Sequence, residues 1–249
     1  MESPSIFVSI KQSISRKRLS LFLAAMFFIG LGALLAADFW EKKDYGQWTI
    51  EECRKMKEDS PWSFKYLLEG RGIASDGQVP FVKYNVQILS ALPIRLAMVR
   101  EAQIASKFDS FTDEKKKAFN MQMGPLMDDA AYQDRIIVTL SYSTNLIQQE
   151  QEIVRYWQSK TKELLLNTTY LYASKGKKAQ LIDYKAGQGG RREIQFVFPR
   201  EMDGKPLATN LDKNLTLEFE YPVIQSIGDG RGRVEFNVKK MLIGGELKY

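Results

Sequence analysis

The chain has 249 residues, a net charge of +6, one cysteine and no histidine. The missing histidine excludes Ser-His-Asp and Cys-His nucleophiles and zinc sites of the Cys/His kind. A lone cysteine, Cys53, excludes an intramolecular disulfide, so we expect stability to come from packing alone. Lysines and arginines are interspersed with acidic residues, and we therefore expect no nucleic-acid partner. We expect no cofactor and no metal site either.

The N-terminal region predicts a membrane anchor. Residues 19–37 are 19 residues without a charge, enough for a helix to cross the roughly 30 Å hydrocarbon core of a bilayer. Basic residues end the preceding tail, residues 1–18, and Asp38 follows the apolar run, so the positive-inside rule predicts a cytoplasmic N-terminus. We expect a single-pass protein of the bacterial inner membrane whose main domain is periplasmic or otherwise extracytoplasmic.

A cleaved signal peptide is the alternative for the same apolar run. Ala36 and Ala37 suit the positions before a cut, although Leu35 at the −3 position fits the small-residue rule poorly. Residues 38–48 then mix aromatic and charged side chains, as expected either of a linker or of a segment at headgroup level. Both interpretations of residues 19–37 place the remaining chain outside the cytoplasm.

Local signals next predict a short helix and a hairpin. Thr49 and Glu52 form a capping box, and the helix they begin should stop at Asp59-Ser60-Pro61. Cys53 lies on its apolar face, which favours a buried structural thiol. Residues 62–74 and 80–89 then predict two strands joined around Asp76-Gly77. The apolar face of the second strand would consist of Val82, Tyr84, Val86 and Ile88.

The middle of the chain predicts three helices and a strand. Residues 93–106 follow the helical period, with Pro93 in the first turn. Thr112 caps a second helix, which we expect to end by Gly124-Pro125. Residues 134–141 are rich in β-branched residues and predict a buried strand, and residues 145–157 restore helical spacing.

From residue 164 onward, polar and apolar residues alternate with period two. We expect a first strand with one face formed by Leu164, Leu166, Thr168, Tyr170 and Tyr172. The further predicted strands are residues 180–184, 192–199, 214–221 and 233–241, with residues 243–249 as a last edge strand.

Helices therefore concentrate in the first half of the chain and antiparallel strands in the second. This order predicts an α+β fold, in which an N-terminal transmembrane helix is followed by a helix-containing, mainly antiparallel β domain over residues 49–249. One face of the sheet should be buried under the helices.

Several motifs resemble chemical sites, but each has a plainer explanation. Gly70-Arg71-Gly72 and residues 187–190 lack the Lys-Ser/Thr of a phosphate-binding loop. Ser174 and Lys177 have S-x-x-K spacing but fall in a predicted hairpin. The acidic residues that could attract a hard cation lack EF-hand spacing; they are Asp128, Asp129 and Asp134. We predict no catalytic residue.

Short motifs along the exported part resemble a group of uncharacterised exported proteins from acidobacteria and similar bacteria. In that group a capped helix ending in D-S-P-W follows the signal or anchor segment. The residues that carry the resemblance here are Trp48, Thr49, Glu52, Asp59, Ser60, Pro61 and Trp62, with further stretches at residues 89–95, 198–200 and 239–245. The resemblance implies export and a shared fold, and it implies no activity.

These observations favour a non-enzymatic envelope protein that contacts the lipid bilayer through its anchor and binds a protein partner, using edge strands of its sheet. The alternative is a small-molecule or lipid-binding domain. Its pocket, or else simply the core, would be lined by Phe81, Tyr84, Phe196, Phe198 and Phe219. A hydrolase based on two carboxylates is a third hypothesis, although no pair of acids is singled out. The sequence leaves the oligomeric state open.

Overall fold

The computed structural model describes residues 38–72, 77–174, 176–187, 192–225 and 227–249. The predicted tail and membrane segment, residues 1–37, lie outside that part. Within it, no helix combines the length and the apolar character that crossing a bilayer requires. The chain divides into two compact units, Met1–Lys42 and Lys43–Tyr249. In the first unit the structure describes one short helix, α1 (Phe39–Lys42).

The second unit is α+β with mainly antiparallel sheets. Its helices are α2 (Ile50–Glu58), α3 (Leu92–Ser106), α4 (Asp113–Met127), α5 (Glu150–Ser159) and α6 (Lys162–Leu165). Its strands are β1 (Ser63–Glu69), β2 (Phe81–Ile88), β3 (Arg135–Thr144), β4 (Tyr170–Ala173), β5 (Ala179–Gln180), β6 (Asp183–Lys185), β7 (Glu193–Pro199), β8 (Glu201–Met202), β9 (Lys205–Pro206), β10 (Asn214–Glu220), β11 (Arg231–Asn237), β12 (Leu242–Ile243) and β13 (Glu246–Leu247).

Two sheets pack face to face around the core. The first has the strand order β1-β2-β3-β7-β6 and the second has the order β11-β10-β4-β5. Phe219 of β10 contacts three rings of the first sheet, with centroids 6.0 Å from Tyr66, 6.0 Å from Tyr84 and 6.4 Å from Phe196. Trp157 of α5 adds a ring 6.4 Å from Tyr84. Aromatic side chains from both sheets and from α5 thus form one buried cluster.

The opposite face of the first sheet carries the helical layer. Asn85 of β2 donates from Nδ2 to the carbonyl of Lys57 at 3.2 Å, and Gln87 donates to the same carbonyl, which places the end of α2 over this face. The predicted capping box of Thr49 and Glu52 is present at the start of α2. The end of α2 lies on this face, but the apolar face of β2, which includes Tyr84, packs against the second sheet, so the predicted burial under helices is only partly correct.

Two predicted helix boundaries are wrong. α4 does not end at Gly124-Pro125 but continues to Met127, because a proline in the last turn removes only one N–H and Asp128 N still bonds to Gly124 O at 2.9 Å. The helix predicted over residues 145–157 begins only at Glu150. Asn145 is instead held in a turn, where its amide accepts from Phe81 N at 2.9 Å and donates to Val79 O at 3.0 Å.

The strand predicted from Leu164 to Tyr172 is also wrong in its first half. Residues 162–165 form α6, which begins at the capping residue Thr161, and β4 starts only at Tyr170. Leu171 is buried, whereas Tyr172 points to the polar face and donates to Glu218 at 2.7 Å. Within β4, Tyr170 and Tyr172 share one face and alternate with the buried Leu171 and Ala173.

The C-terminal segment differs from the predicted edge strand over residues 243–249. Gly244 and Gly245 both have positive φ, 59° and 83°, and this tight turn folds the segment into the small hairpin β12–β13. The first predicted hairpin is present but shorter, since β1 ends at Glu69. Residues 73–76, which include the predicted turn residue Asp76, lie outside the described part.

Candidate functional site

The strand β1 forms one outer edge of the first sheet, and its backbone orientation is fixed by two hydrogen bonds to the β2 side. Ile88 N donates to Trp62 O at 2.9 Å, and Gly70 N donates to Pro80 O at 2.8 Å. In an antiparallel pair, hydrogen-bonded residues alternate with residues whose N–H and C=O point away. Even-numbered residues of β1 therefore bond to β2, and Lys65, Leu67 and Glu69 direct their backbone groups outward.

The outward residues of β1 are accessible. Leu67, whose backbone points outward, is 51% exposed. Phe64, whose backbone bonds to β2, is 38% exposed, so two large apolar side chains are accessible on this edge strand. Lys65 and Glu69 flank Leu67 on the same face and are exposed as well. Among the described residues, no strand pairs with β1 on its outer side. The edge thus offers free backbone donors and acceptors next to apolar surface, which is the arrangement that another strand can extend.

The other three sheet edges differ from β1. Strands β6 and β5 are only three and two residues long. Strand β11 is as long as β1. Its even-numbered residues bond to β10, as Gly232 does to Phe219, so its odd-numbered residues direct their backbone groups outward. These outward residues are charged: Arg231, Arg233 and Glu235. Short edges and charged edges are the devices by which proteins prevent unwanted strand pairing. Of these four edges, β1 is the long one with an outward apolar residue at its centre.

Contacts on both faces hold β1 in place. Tyr66 lies on the inner face, where its hydroxyl donates to Arg231 O at 3.3 Å and its ring packs 6.1 Å from Tyr221. On the outer face, Lys65 lies 3.0 Å from Glu58 at the end of α2. The hydrogen bond from Lys65 lowers the pKa of Glu58 below its usual value of 4.5, so this carboxylate is ionised at neutral pH. A partner strand would therefore meet an edge that is already positioned.

A cavity of about 220 Å³ elsewhere in the unit contains two arginines. Arg95 is 1% exposed, donates to Ser90 O at 3.2 Å and to Leu126 O at 2.8 Å, and pairs with Asp129. Its guanidinium also stacks on the Tyr132 ring, 4.2 Å from the centroid. Two of these donors bind carbonyl groups of the fold, so Arg95 acts as a structural crosslink between α3, the end of α4 and the segment that follows α4.

Arg200, the second arginine of this cavity, is used in the same way. Its Nε donates to Tyr132 O at 3.2 Å, and its Nη2 donates to the carbonyls of Arg135 and Tyr249. Burial lowers the pKa of this guanidinium. Asp129, which pairs with Arg95, also lines the cavity, while Arg200 binds backbone carbonyl groups.

The five aromatic residues predicted to line a pocket or the core do not all lie together. Four belong to the first sheet, where they occupy both of its faces, and the fifth lies on β10 of the second sheet. Tyr84, Phe196, Phe198 and Phe219 are buried in the core, where the rings of Tyr84 and Phe196 contact Phe219. Phe81 is half-buried on the opposite face of β2. The cavities of about 220 Å³ and 200 Å³ are lined by other residues.

The motif residues surround α2 and lead into β1. Thr49 and Glu52 cap the helix, Asp59 ends it, and Ser60 N donates to Ser63 Oγ at 2.9 Å. The remaining members have structural positions too: Trp48 and Trp62 are buried, and Pro61 lies in the turn between α2 and β1. Trp62 also donates from its indole nitrogen to Lys248 O. The motif thus fixes the position at which β1 begins.

The other chemical candidates are occupied by structural contacts. Ser174 Oγ accepts from Asn214 N at 2.7 Å, while Lys177 pairs with Asp203 at 2.7 Å, so the S-x-x-K residues do not face one another. Asp128 caps the turn at Ala130, and Asp134 pairs with Arg135. Across the described ranges, no group of three or more acidic or cysteine residues could hold a metal ion.

No protein-family model, curated protein or solved structure matches this chain. The resemblance to exported acidobacterial proteins therefore remains a prediction. The candidate site was only partly visible in the sequence, because the residues of β1 resemble those of any half-buried strand. The pattern Lys65-Tyr66-Leu67-Leu68-Glu69, with charges at both ends of an apolar centre, is the one local signal of an edge.

Proposed function

We propose that this chain is a membrane-tethered extracytoplasmic protein that assembles with another polypeptide by strand addition at β1. It is a non-enzymatic component of the bacterial cell envelope, with its N-terminus in the cytoplasm and its main domain outside. The single observation that carries the proposal is the free outer edge of β1, on which Leu67 is 51% exposed. Strand addition obtains affinity from main-chain hydrogen bonds and specificity from alternate side chains.

The tether is supported by the sequence of the N-terminal region. Residues 19–37 carry no charge, and three consecutive basic residues, Arg16, Lys17 and Arg18, precede them. Retention of basic residues on the cytoplasmic side gives the orientation. The resemblance to exported proteins also supports a tether. The residues of its motif shape the segment that leads into β1.

Location is tested with an alkaline phosphatase reporter fused after Tyr249, because this enzyme is active only outside the cytoplasm. We expect active reporter in intact cells. The envelope assignment would be refuted if alkaline phosphatase were inactive there and a reporter that works only in the cytosol, fused at the same position, were active.

Assembly at β1 is tested with Leu67→Pro in the full-length chain. The N–H of Leu67 points outward, so proline removes a donor needed by an added strand without removing a bond to β2. Arg233→Pro is the matched control, because Arg233 occupies the equivalent outward position on β11. We expect native complexes from solubilised membranes to be lost with L67P and retained with R233P. Complexes of unchanged size with both variants would show that β1 is not the binding edge.

A further inference from the structure

We infer that the strand added at β1 is β1 of a second copy of this chain, in antiparallel orientation about a two-fold axis through Leu67. The inference rests on the proposed function, since it names the partner for the same edge. A two-fold interface requires a surface that complements itself. The sequence of β1 meets that requirement in one register.

In this register each residue faces the one at the same distance on the other side of Leu67. Lys65 then lies opposite Glu69 of the second copy, and Glu69 lies opposite the second copy's Lys65. Leu67 meets its own counterpart. The two-fold axis gives two such contacts between Lys65 and Glu69 in each dimer. Opposite charges directly across from each other on antiparallel strands stabilise the strand pair.

The backbone fits the same register. Lys65, Leu67 and Glu69 all direct N–H and C=O groups outward, as fixed by the bonds of Trp62 and Gly70 to the β2 side. Pairing odd-numbered residues with odd-numbered residues makes three hydrogen-bonded pairs, and each such pair exchanges two bonds, so about six bonds form. A register displaced by one residue would place the outward N–H and C=O groups of one strand opposite residues that bond to β2, and the hydrogen bonds between the copies would be lost.

The side chains on the inner face are compatible as well. Phe64, which is 38% exposed, comes to lie opposite Gly70 of the second copy. Gly70 has no side chain, and Ile227 and Pro80 pack beside it, 3.2 and 3.3 Å from where a Cβ would lie, so the phenyl ring would gain apolar cover there. The two first sheets would join into one continuous sheet with β1 strands at its centre.

A strand pair of this length buries less than the roughly 1,200 Å² of a standard stable interface, so we expect weak association in solution. Tethering both copies to one bilayer raises their effective concentration and favours the pair. This dependence fits a protein held at a membrane.

Disulfide trapping tests the register. Hydrogen-bonded antiparallel residues lie about 5.5 Å apart between Cα atoms, within the roughly 4.4–6.8 Å that a disulfide spans. We expect full-length L67C to form a covalent homodimer on mild oxidation in membranes. Cys53 does not compete, because it is fully buried. R233C on β11 is the control and should remain monomeric; equal trapping of both variants would overturn the inference.

Charge reversal tests the complementarity. K65E places a carboxylate opposite Glu69 of the second copy, and E69K places an ammonium opposite its Lys65, so each single variant should weaken dimerisation about tenfold. The double variant K65E/E69K restores opposite charges and should recover the affinity. K65E also loses the contact with Glu58, which the double variant does not repair, so recovery reports the contact between copies.

The two proposals fail in different ways. If L67P abolishes a native complex but L67C forms no covalent homodimer in membranes, β1 binds a different polypeptide and self-pairing is refuted. If the double charge variant stays as weak as the single ones, the register is refuted. If L67P has no effect on any complex, the proposed function itself fails.

Discussion

Replacing Arg95 by methionine should destabilise the protein strongly, although the residue lies in an open cavity. Arg95 is 1% exposed, and its guanidinium binds the carbonyls of Ser90 and Leu126 at 3.2 and 2.8 Å. Methionine fills much of the same volume but donates no hydrogen bond. The variant therefore isolates the polar role of the side chain from its packing role.

The expected loss follows from the groups left without a partner. A buried acceptor that loses its donor costs about 1–3 kcal/mol, and Ser90 is buried while Leu126 is half-buried. Loss of the stack on Tyr132 adds up to about 1 kcal/mol. The pair with Asp129 adds little, because the Asp129 side chain is 64% exposed. We expect a decrease of about 3 kcal/mol in the free energy of unfolding.

The measurement is urea unfolding of the full-length chain in detergent, followed by tryptophan fluorescence. With an unfolding slope of about 2 kcal/mol per molar urea, the midpoint should fall by about 1.5 M. Arg54→Met is the control, because Arg54 is exposed on α2, and its effect should stay within about 0.5 kcal/mol. A loss below about 1 kcal/mol for R95M would refute the structural role and leave this guanidinium free to bind an anionic ligand.

Three further outcomes follow from single contacts. Gly232→Ala should destabilise by about 1–3 kcal/mol in the same unfolding assay, because a Cβ there would overlap the Phe219 ring; an unchanged midpoint would contradict this packing. Burial raises the pKa of the Cys53 thiol to about 11, so native protein at about pH 8 should resist a thiol reagent and react only after unfolding; rapid labelling of the native protein would show that the thiol is accessible. The hydrogen bond from Lys178 lowers the pKa of Glu218 below 4.5. The contribution of the Glu218 carboxylate to stability is therefore present above pH 4.5 and is lost as the pH falls through the lower pKa of the folded state. E218Q should flatten this acid dependence of stability, and an identical acid profile would argue against the contact.

The sequence predicted those helices and strands that are specified by residues close together in the chain. The capping box of Thr49 and Glu52 depends on residues three apart, and it is present. The strands over residues 81–88, 193–199 and 214–220 follow from alternation with one buried face, and they are present as well. In these cases the same residues that produce the pattern also make the decisive contacts.

Features that depend on distant partners were not predictable in this way. Nothing near Arg95 indicates that its guanidinium will meet Leu126 O in the last turn of α4. The Tyr172 hydroxyl donates to Glu218 on another strand, a partner 46 residues away in the chain. The edge position of β1 is likewise a property of strand order, since Leu67 would be covered if another strand of the chain lay beside it.

The order in which strands join the first sheet constrains how the chain acquires its structure. Ile136 of β3 pairs with Phe198 of β7, so one side of β3 stays open until the polypeptide has been synthesised past residue 199. Between them, β5 joins the second sheet and β6 returns to the first. Such non-local pairing makes folding slow and exposes an apolar strand in the meantime. A chain truncated before residue 193 would retain that open strand permanently, and it should aggregate instead of folding to a smaller domain.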